Sequence, residues 1–281
     1  DKERALMIDI TNNRGPSTFF GLTPAEAYLL LEPDSTEGHK AIKLTLMWLL
    51  ARRIIEIRQE PCSGFLGRPK VRSLLHVARP LPPDLPRYVI RLIGVIDLSP
   101  DRRVDRLWPH LAKTYGQGGY KLLREDVLSL LLEKRLVERY TGKLLGLIPI
   151  ERRRRTRDGE ELARRVEGAL ADARTIPSLL DRDPRQAAAL AFAAGGLIFL
   201  VPELLPELSA IATAARNHQS MSGGDGGPAV TSSSSDDRDG ASWAPLDISV
   251  IDSLGGAFES FGSDFDSGGG DGGGDGGGGG D

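Results

Sequence analysis

Residues able to make or break covalent bonds are sparse in this chain, while residues able to hold an anion are not. His39, His76, His110 and His218 are widely scattered, and no two share the i, i+4 spacing with which a helix presents paired metal ligands. Cys62 is the single cysteine, so no thiolate pair for zinc and no internal disulfide is available. Nucleophilic catalysis needs a nucleophile, a base and an orienting group that converge, and no such set is spelled out. "YGQGGY", around Gly116 to Gly119, has glycines but neither the P-loop lysine nor the dinucleotide fingerprint, so it reads as a loop opening a helix. The expectation is a binding protein, not an enzyme, with no metal and no cofactor.

Two stretches carry the binding chemistry. In "YKLLRED" Lys121 and Arg124 lie three residues apart, one helical turn, close to a helix start where backbone N–H groups also attract anions. The plainer alternative is a solvated helix face balanced by Glu125 and Asp126. In "LLGLIPIERRRR", Leu144 to Arg155, an apolar run meets four consecutive arginines. Arginine gives planar, bidentate contacts to phosphate, and an adjacent apolar loop can enter the headgroup boundary of a bilayer. On this reading Leu147, Ile148, Pro149, Ile150, Arg152 and Arg153 form a membrane-contacting hairpin. The alternative puts Leu145, Leu147 and Ile150 into the core and leaves only Ile148 and Pro149 at a turn.

Charge supports an anionic partner. The 281 residues carry a net charge of -3, but residues from Arg216 onward hold 2 basic and 12 acidic side chains, which leaves 34 basic against 27 acidic before them. A body of +7 therefore adjoins a tail of -10. Such a tail is able to mask the basic face. The lone cysteine fits a reducing, cytoplasmic setting, and no charged n-region with an apolar h-region appears near Asp1.

The elements that must position these residues follow from periodicity. Thr23-Pro24-Ala25-Glu26 is a helix start with a capping-box pattern, running to about Glu32 before Pro33-Asp34-Ser35 interrupts it. A second helix from about Gly38 to Arg53 is apolar at Ile42, Leu46, Leu49 and Leu50. "RIIEIRQ" then alternates as a strand, with a return strand at Val71 to Val77. "LLARRIIEI" (Leu49 to Ile57) and "LLEKRLVER" (Leu131 to Arg139) share one grammar, so the chain should contain two helix-plus-β-hairpin, winged-helix-like units. Helices are expected near 87–96, 102–114 and 159–173, and 187–202 is read as a buried apolar helix, with a membrane span the less favoured alternative because the stretch is short of the ~20 residues needed to cross a bilayer. Residues 1–19 form an N-terminal arm, 20–215 a mainly α domain, and 216–281 a disordered acidic Gly/Ser/Asp-rich tail. Within that tail Val250, Ile251, Leu254, Phe258, Phe261 and Phe265 recur at three- and four-residue steps, which suits an acidic amphipathic helix on a partner or on the body; the equal alternative, given Gly255-Gly256 in the middle, is a disordered segment with scattered aromatics.

"LLLEKRLVERYTGKLLGLIPIERRRR", followed by "GEELARRVEGALADA" and "DPRQAAALAFAAGGLIFLV", resembles the second half of the Golgi phosphoprotein 3 family. "GLTPAEAYLLLEPD" and "IKLTLMWLLARRIIEI" are similar to its first half, in the same order, so the resemblance covers roughly residues 20–208. It implies a largely helical fold that binds phosphatidylinositol 4-phosphate at a basic pocket beside a bilayer-dipping hairpin. The pocket's basic pair then falls on Lys121 and Arg124. The family's pocket tryptophan has no counterpart near Glu32, and Lys40 or Lys43 stands where it has an arginine.

The expected function is thus a non-enzymatic, cytoplasmic protein held peripherally at an anionic phospholipid surface, an adaptor with a protein client for membrane-protein sorting, and homo-oligomerisation stays open. The competing class is a winged-helix nucleic-acid-binding regulator, disfavoured because "LLGLIPI" would put a greasy tip where a groove-binding wing is polar. A structural protein-interaction module, with "LLGLIPI" as core, is the third.

Overall fold

The computed structural model describes residues 20–63, 69–100, 102–144, 148–207 and 210. The N-terminal arm, the tip 145–147 and the acidic tail of the sequence reading lie outside them. In chain order the elements are α1 (Pro24–Leu31), α2 (Gly38–Ala51), β1 (Ile55–Ser63), β2 (Pro69–Val77), α3 (Arg87–Asp97), α4 (Val104–Tyr115), α5 (Leu128–Glu133), β3 (Val137–Leu144), β4 (Ile148–Arg155), α6 (Arg157–Ala173), α7 (Ile176–Leu180) and α8 (Pro184–Ala194). The protein is helix-rich with two small antiparallel sheets, β1 with β2 and β3 with β4, and the two hairpins do not pair with each other. One hydrophobic core runs from Leu22 to Leu204, with α1 and α2 contributing many of its most buried side chains.

The start of α1 is fixed as its sequence requires. The Glu26 amide donates to the Thr23 hydroxyl at 3.2 Å, and the Thr23 amide donates to the Glu26 carboxylate at 2.8 Å. Glu26 is 1% exposed, and its other oxygen accepts from Lys134 Nζ at 2.6 Å. The Thr23 hydroxyl also lies 2.6 Å from the Tyr88 hydroxyl, so one capping box ties α1 to α3 and to the end of α5.

The internal repeat is a repeat of turn geometry. After α2 the Ile54 amide donates to the Leu49 carbonyl and the Arg53 amide to that of Leu50, both at 2.9 Å. After α5 the Leu136 amide donates to Leu131 at 2.9 Å and the Arg135 amide to Leu132 at 3.0 Å. Both are Schellman closures. The residue that must turn left-handed is an arginine each time, Arg53 at φ 53° and Arg135 at φ 55°. The closure redirects the chain from helix into hairpin within three residues, which explains why helix and strand patterns abut in the sequence.

Glycine sets two close approaches. Gly38, opening α2, is so near Gly119 that a Cβ would lie 2.2 Å from the Gly119 carbonyl carbon, and Gly119 itself has φ 68°. Gly159, in the first turn of α6, would place a Cβ 1.9 Å from the Leu136 carbonyl oxygen. The first contact joins α2 to the segment bearing Tyr120 and Arg124. The second seats α6 on the start of the β3–β4 hairpin.

The apolar stretch 187–202 is not one helix. α8 stops at Ala194, Gly195 turns to φ 54°, and the chain continues as 3₁₀ turns over Gly195–Leu200 and Pro202–Leu204. Its burial is as expected, with Leu197, Ile198 and Phe199 in the core. Among the described residues no helix is long and apolar enough to cross a membrane.

Candidate anion-binding site

The four consecutive arginines enter β4, and the pleat of a strand sends alternate side chains to opposite faces. Arg153 and Arg155 face the body. Arg153 is 8% exposed; its amide donates to the Asp34 carboxylate at 3.1 Å and its guanidinium to the Pro33 carbonyl at 3.2 Å. Arg155 Nε donates to the Leu30 carbonyl at 2.8 Å, and its Nη2 to the Leu31 carbonyl. These are last-turn carbonyls of α1, which have no partners inside the helix, so Arg155 acts as a cap supplied from a distant strand. Arg152 and Arg154 are exposed, and Arg154 pairs with Glu138 at 2.6 Å and lies over the Tyr140 ring. The sequence reading put Arg152 and Arg153 together on a membrane-contacting surface. Arg152 remains available to solvent, whereas Arg153 is built into the body because β periodicity splits the run.

Arg153 brings the hairpin to the Pro33–Glu37 loop between α1 and α2, which Lys40 flanks and where Arg153 is within electrostatic reach of Arg124. Burial first, and the charge of Arg124 second, pull the Arg153 guanidinium below its ordinary pKa, with Tyr120, Asp34 and Glu151 acting in the opposite sense. Arginine stays protonated regardless. The shift therefore reports mainly that Arg153 is removed from water, and secondly that the Arg124 guanidinium is within electrostatic reach of it. Arg124 is half-buried and stacks 5.1 Å from the Tyr120 ring centroid. At the other end of the loop Lys40 Nζ lies 4.5 Å from the Tyr28 ring centroid and 3.6 Å from the Glu37 carboxylate. The Tyr28 hydroxyl bonds to Ser35 and donates to Glu37 at 3.2 Å.

The expected set is thus only partly assembled. Arg124 is within electrostatic reach of Arg153, and Lys40 flanks the Pro33–Glu37 loop. Lys121 is exposed on the turn that precedes Arg124, and the intervening segment Leu122–Val127 is π-helical, a wider winding than the α-turn that would bring residues three apart onto one face. Lys43 lines an apolar groove with Ile42, Met47 and Phe199. Of the hairpin, Leu147 lies outside the described residues and so does the side chain of Ile148, where β4 begins; Pro149 is exposed and Ile150 half-buried.

Sequence reasoning missed Asp34 and the Pro33 carbonyl as the anchor of Arg153, Tyr120 as the platform for Arg124, and Arg155 as a cap. The alternation rule applied to "ERRRR" would have separated Arg153 and Arg155 from their neighbours, but their partners are 119 to 125 residues away. Among the described residues no group of three or more His, Cys, Asp or Glu side chains is placed to hold a metal. No protein-family model matches the chain, and no curated protein compared with it does so either.

Proposed function

We propose that this protein is a non-enzymatic peripheral membrane protein that binds an anionic phospholipid, with the headgroup held beside the Pro33–Glu37 loop. The observation that carries the reading is the Arg124–Arg153 pair. Arg153 is buried and bonded to the Pro33 carbonyl, so its charge adds to the positive field at Arg124, and the half-buried Arg124 guanidinium is the group that would take a phosphate through charge-assisted bonds. Tyr120 stacks on Arg124 and Lys40 flanks the loop, while Lys121 and Arg152 are exposed cations on the adjoining segments of chain. The β3–β4 hairpin is the membrane-facing element, with Pro149 exposed next to its tip. On this reading the protein is cytoplasmic, and its exposed helical faces are open to a protein client, in the manner of a sorting adaptor.

The helix–Schellman–hairpin repeat favours a second reading, in which two winged-helix-like units enter a nucleic-acid groove. It is the weaker of the two, because Arg153 and Arg155 already serve carbonyls of the body and are not free to rake phosphates along a duplex.

Co-sedimentation of the full chain decides between them. Vesicles of phosphatidylcholine alone, or with added phosphatidylserine or phosphatidylinositol 4-phosphate, are compared with a duplex DNA of random sequence. The membrane reading expects pelleting only with the anionic vesicles and a loss of at least about tenfold in affinity for Lys121→Glu/Arg124→Glu, at about 1 kcal/mol per basic residue removed. Absence of pelleting with either anionic lipid overturns it, and tight duplex binding would establish the second reading.

A further inference from the structure

Between α2, α4 and the 3₁₀ turns of residues 195–204 lies an apolar groove of about 440 Å³, walled by Ile42, Met47, Trp108 and Phe199 and carrying Lys40 and Lys43 in its lining. Its size is that of a site for a small ligand or a few anchoring side chains. We infer that this groove is the docking site of the chain's own residues 248–265, seated through Ile251, Leu254, Phe258 and Phe261.

Three observations identify that occupant. The segment repeats apolar residues at three- and four-residue steps, the pattern of an amphipathic segment laid into a groove. It is also acidic at Asp252, Glu259 and Asp264, and no lysine or arginine occurs anywhere after Arg238, so its charge is opposite to that of Lys40 and Lys43. The ion pair that Lys40 already makes with Glu37 is long, 3.6 Å, and exposed, so it is a weak competitor for a carboxylate of the segment.

The third observation is where the chain leaves the domain. Leu205 lines the groove and the continuous described chain ends at Glu207, so the segment is tethered at the edge of its own site. The 40 residues between Glu207 and Ile248 can span at most about 130 Å, so their length does not keep the segment from the groove, and attachment within one chain lets a weak intrinsic affinity suffice.

The test uses the full chain and no lipid, so its outcome is independent of the membrane reading. Phe258 is replaced by photoreactive benzoylphenylalanine, mixed isotopically labelled chains are irradiated, and cross-linked peptides are identified by mass spectrometry. The expected result is an intrachain link to residues 39–47 or 199–205. Asp252→Lys/Glu259→Lys, which leaves the domain untouched, should lower its yield about fivefold, and adding Lys40→Glu/Lys43→Glu should restore it, as a pairwise coupling requires. Links to another face, links only between chains, no link, or a yield unchanged by the tail charge reversal each overturn the proposal. A co-purified acyl chain filling the groove in native mass spectrometry, with no link, would assign it to a lipid instead.

Discussion

Arg153 and Asp34 are 119 residues apart, yet the Arg153 amide donates to the Asp34 carboxylate at 3.1 Å. This contact fixes the β3–β4 hairpin to the loop between α1 and α2 and holds Arg153 inside the body. Removing a buried, hydrogen-bonded guanidinium leaves the Pro33 carbonyl without that donor, so Arg153→Ala should lower stability by about 2–3 kcal/mol in urea denaturation. Arg152→Ala, one residue away and exposed, should stay within about 0.5 kcal/mol. Equal losses for the two would refute the alternating assignment.

Gly159 and Gly168 both lie in α6 and should respond in opposite directions to alanine. A Cβ at Gly159 meets the Leu136 carbonyl oxygen at 1.9 Å, and a backbone atom cannot swing aside, so a loss above about 3 kcal/mol is expected. A Cβ at Gly168 meets nothing within 4 Å, and alanine there should raise stability by about 0.5–1 kcal/mol through helix propensity. Thermal unfolding of the two variants measures the contrast.

Arg53→Gly and Arg135→Gly should each stabilise the fold by roughly 0.5–1 kcal/mol, because glycine adopts the left-handed turn without the Cβ strain an arginine bears there. Arg53→Pro, whose ring forbids φ 53°, should be strongly destabilising. A fall in melting temperature for both glycine variants would show that the guanidiniums contribute more than the strain costs.

Alkali should unfold the protein in a defined window. Burial first, then the charge of Asp126, pushes Tyr115 up to about 12 from 10.0, with Arg91 opposing. Burial raises Tyr28 and Tyr88 further still, with Glu32 and Glu26 adding to the rise and hydrogen bonds from Ser35 and Thr23 opposing it. Below pH 10 folded and unfolded chains both keep these protons, so their contribution is intact. Above it the unfolded chain ionises and the folded one does not, and stability falls by about 1.4 kcal/mol per pH unit for each tyrosine. The Tyr115 share of the loss is complete near pH 12. Circular dichroism and tyrosinate absorbance recorded together should show a late ionisation phase coincident with loss of helix; ionisation of every tyrosine before any loss of helix would contradict the burial.

What could be read along the chain was local. Thr23 and Glu26 define a capping box three residues apart, and "LLARRIIEI" and "LLEKRLVER" define helix ends that turn into strands, because caps and periodicity act over a single turn. Gly195-Gly196 was visible inside the apolar stretch 187–202, and its left-handed φ is what ends α8 there.

Tertiary structure decided everything that depends on which face a residue shows and what lies opposite. Two of four identical arginines became fasteners, Arg153 buried and Arg155 half-buried, and two stayed outside, since the pleat alternates and only one face of the hairpin meets α1 and its following loop. Lys121 and Arg124 matched a helical spacing, but π-winding broke the shared face while Arg153, from another element, came within electrostatic reach of Arg124. Spacing fixes neighbours along one element. Charge partners across elements are set by packing, and packing is where this candidate site is made.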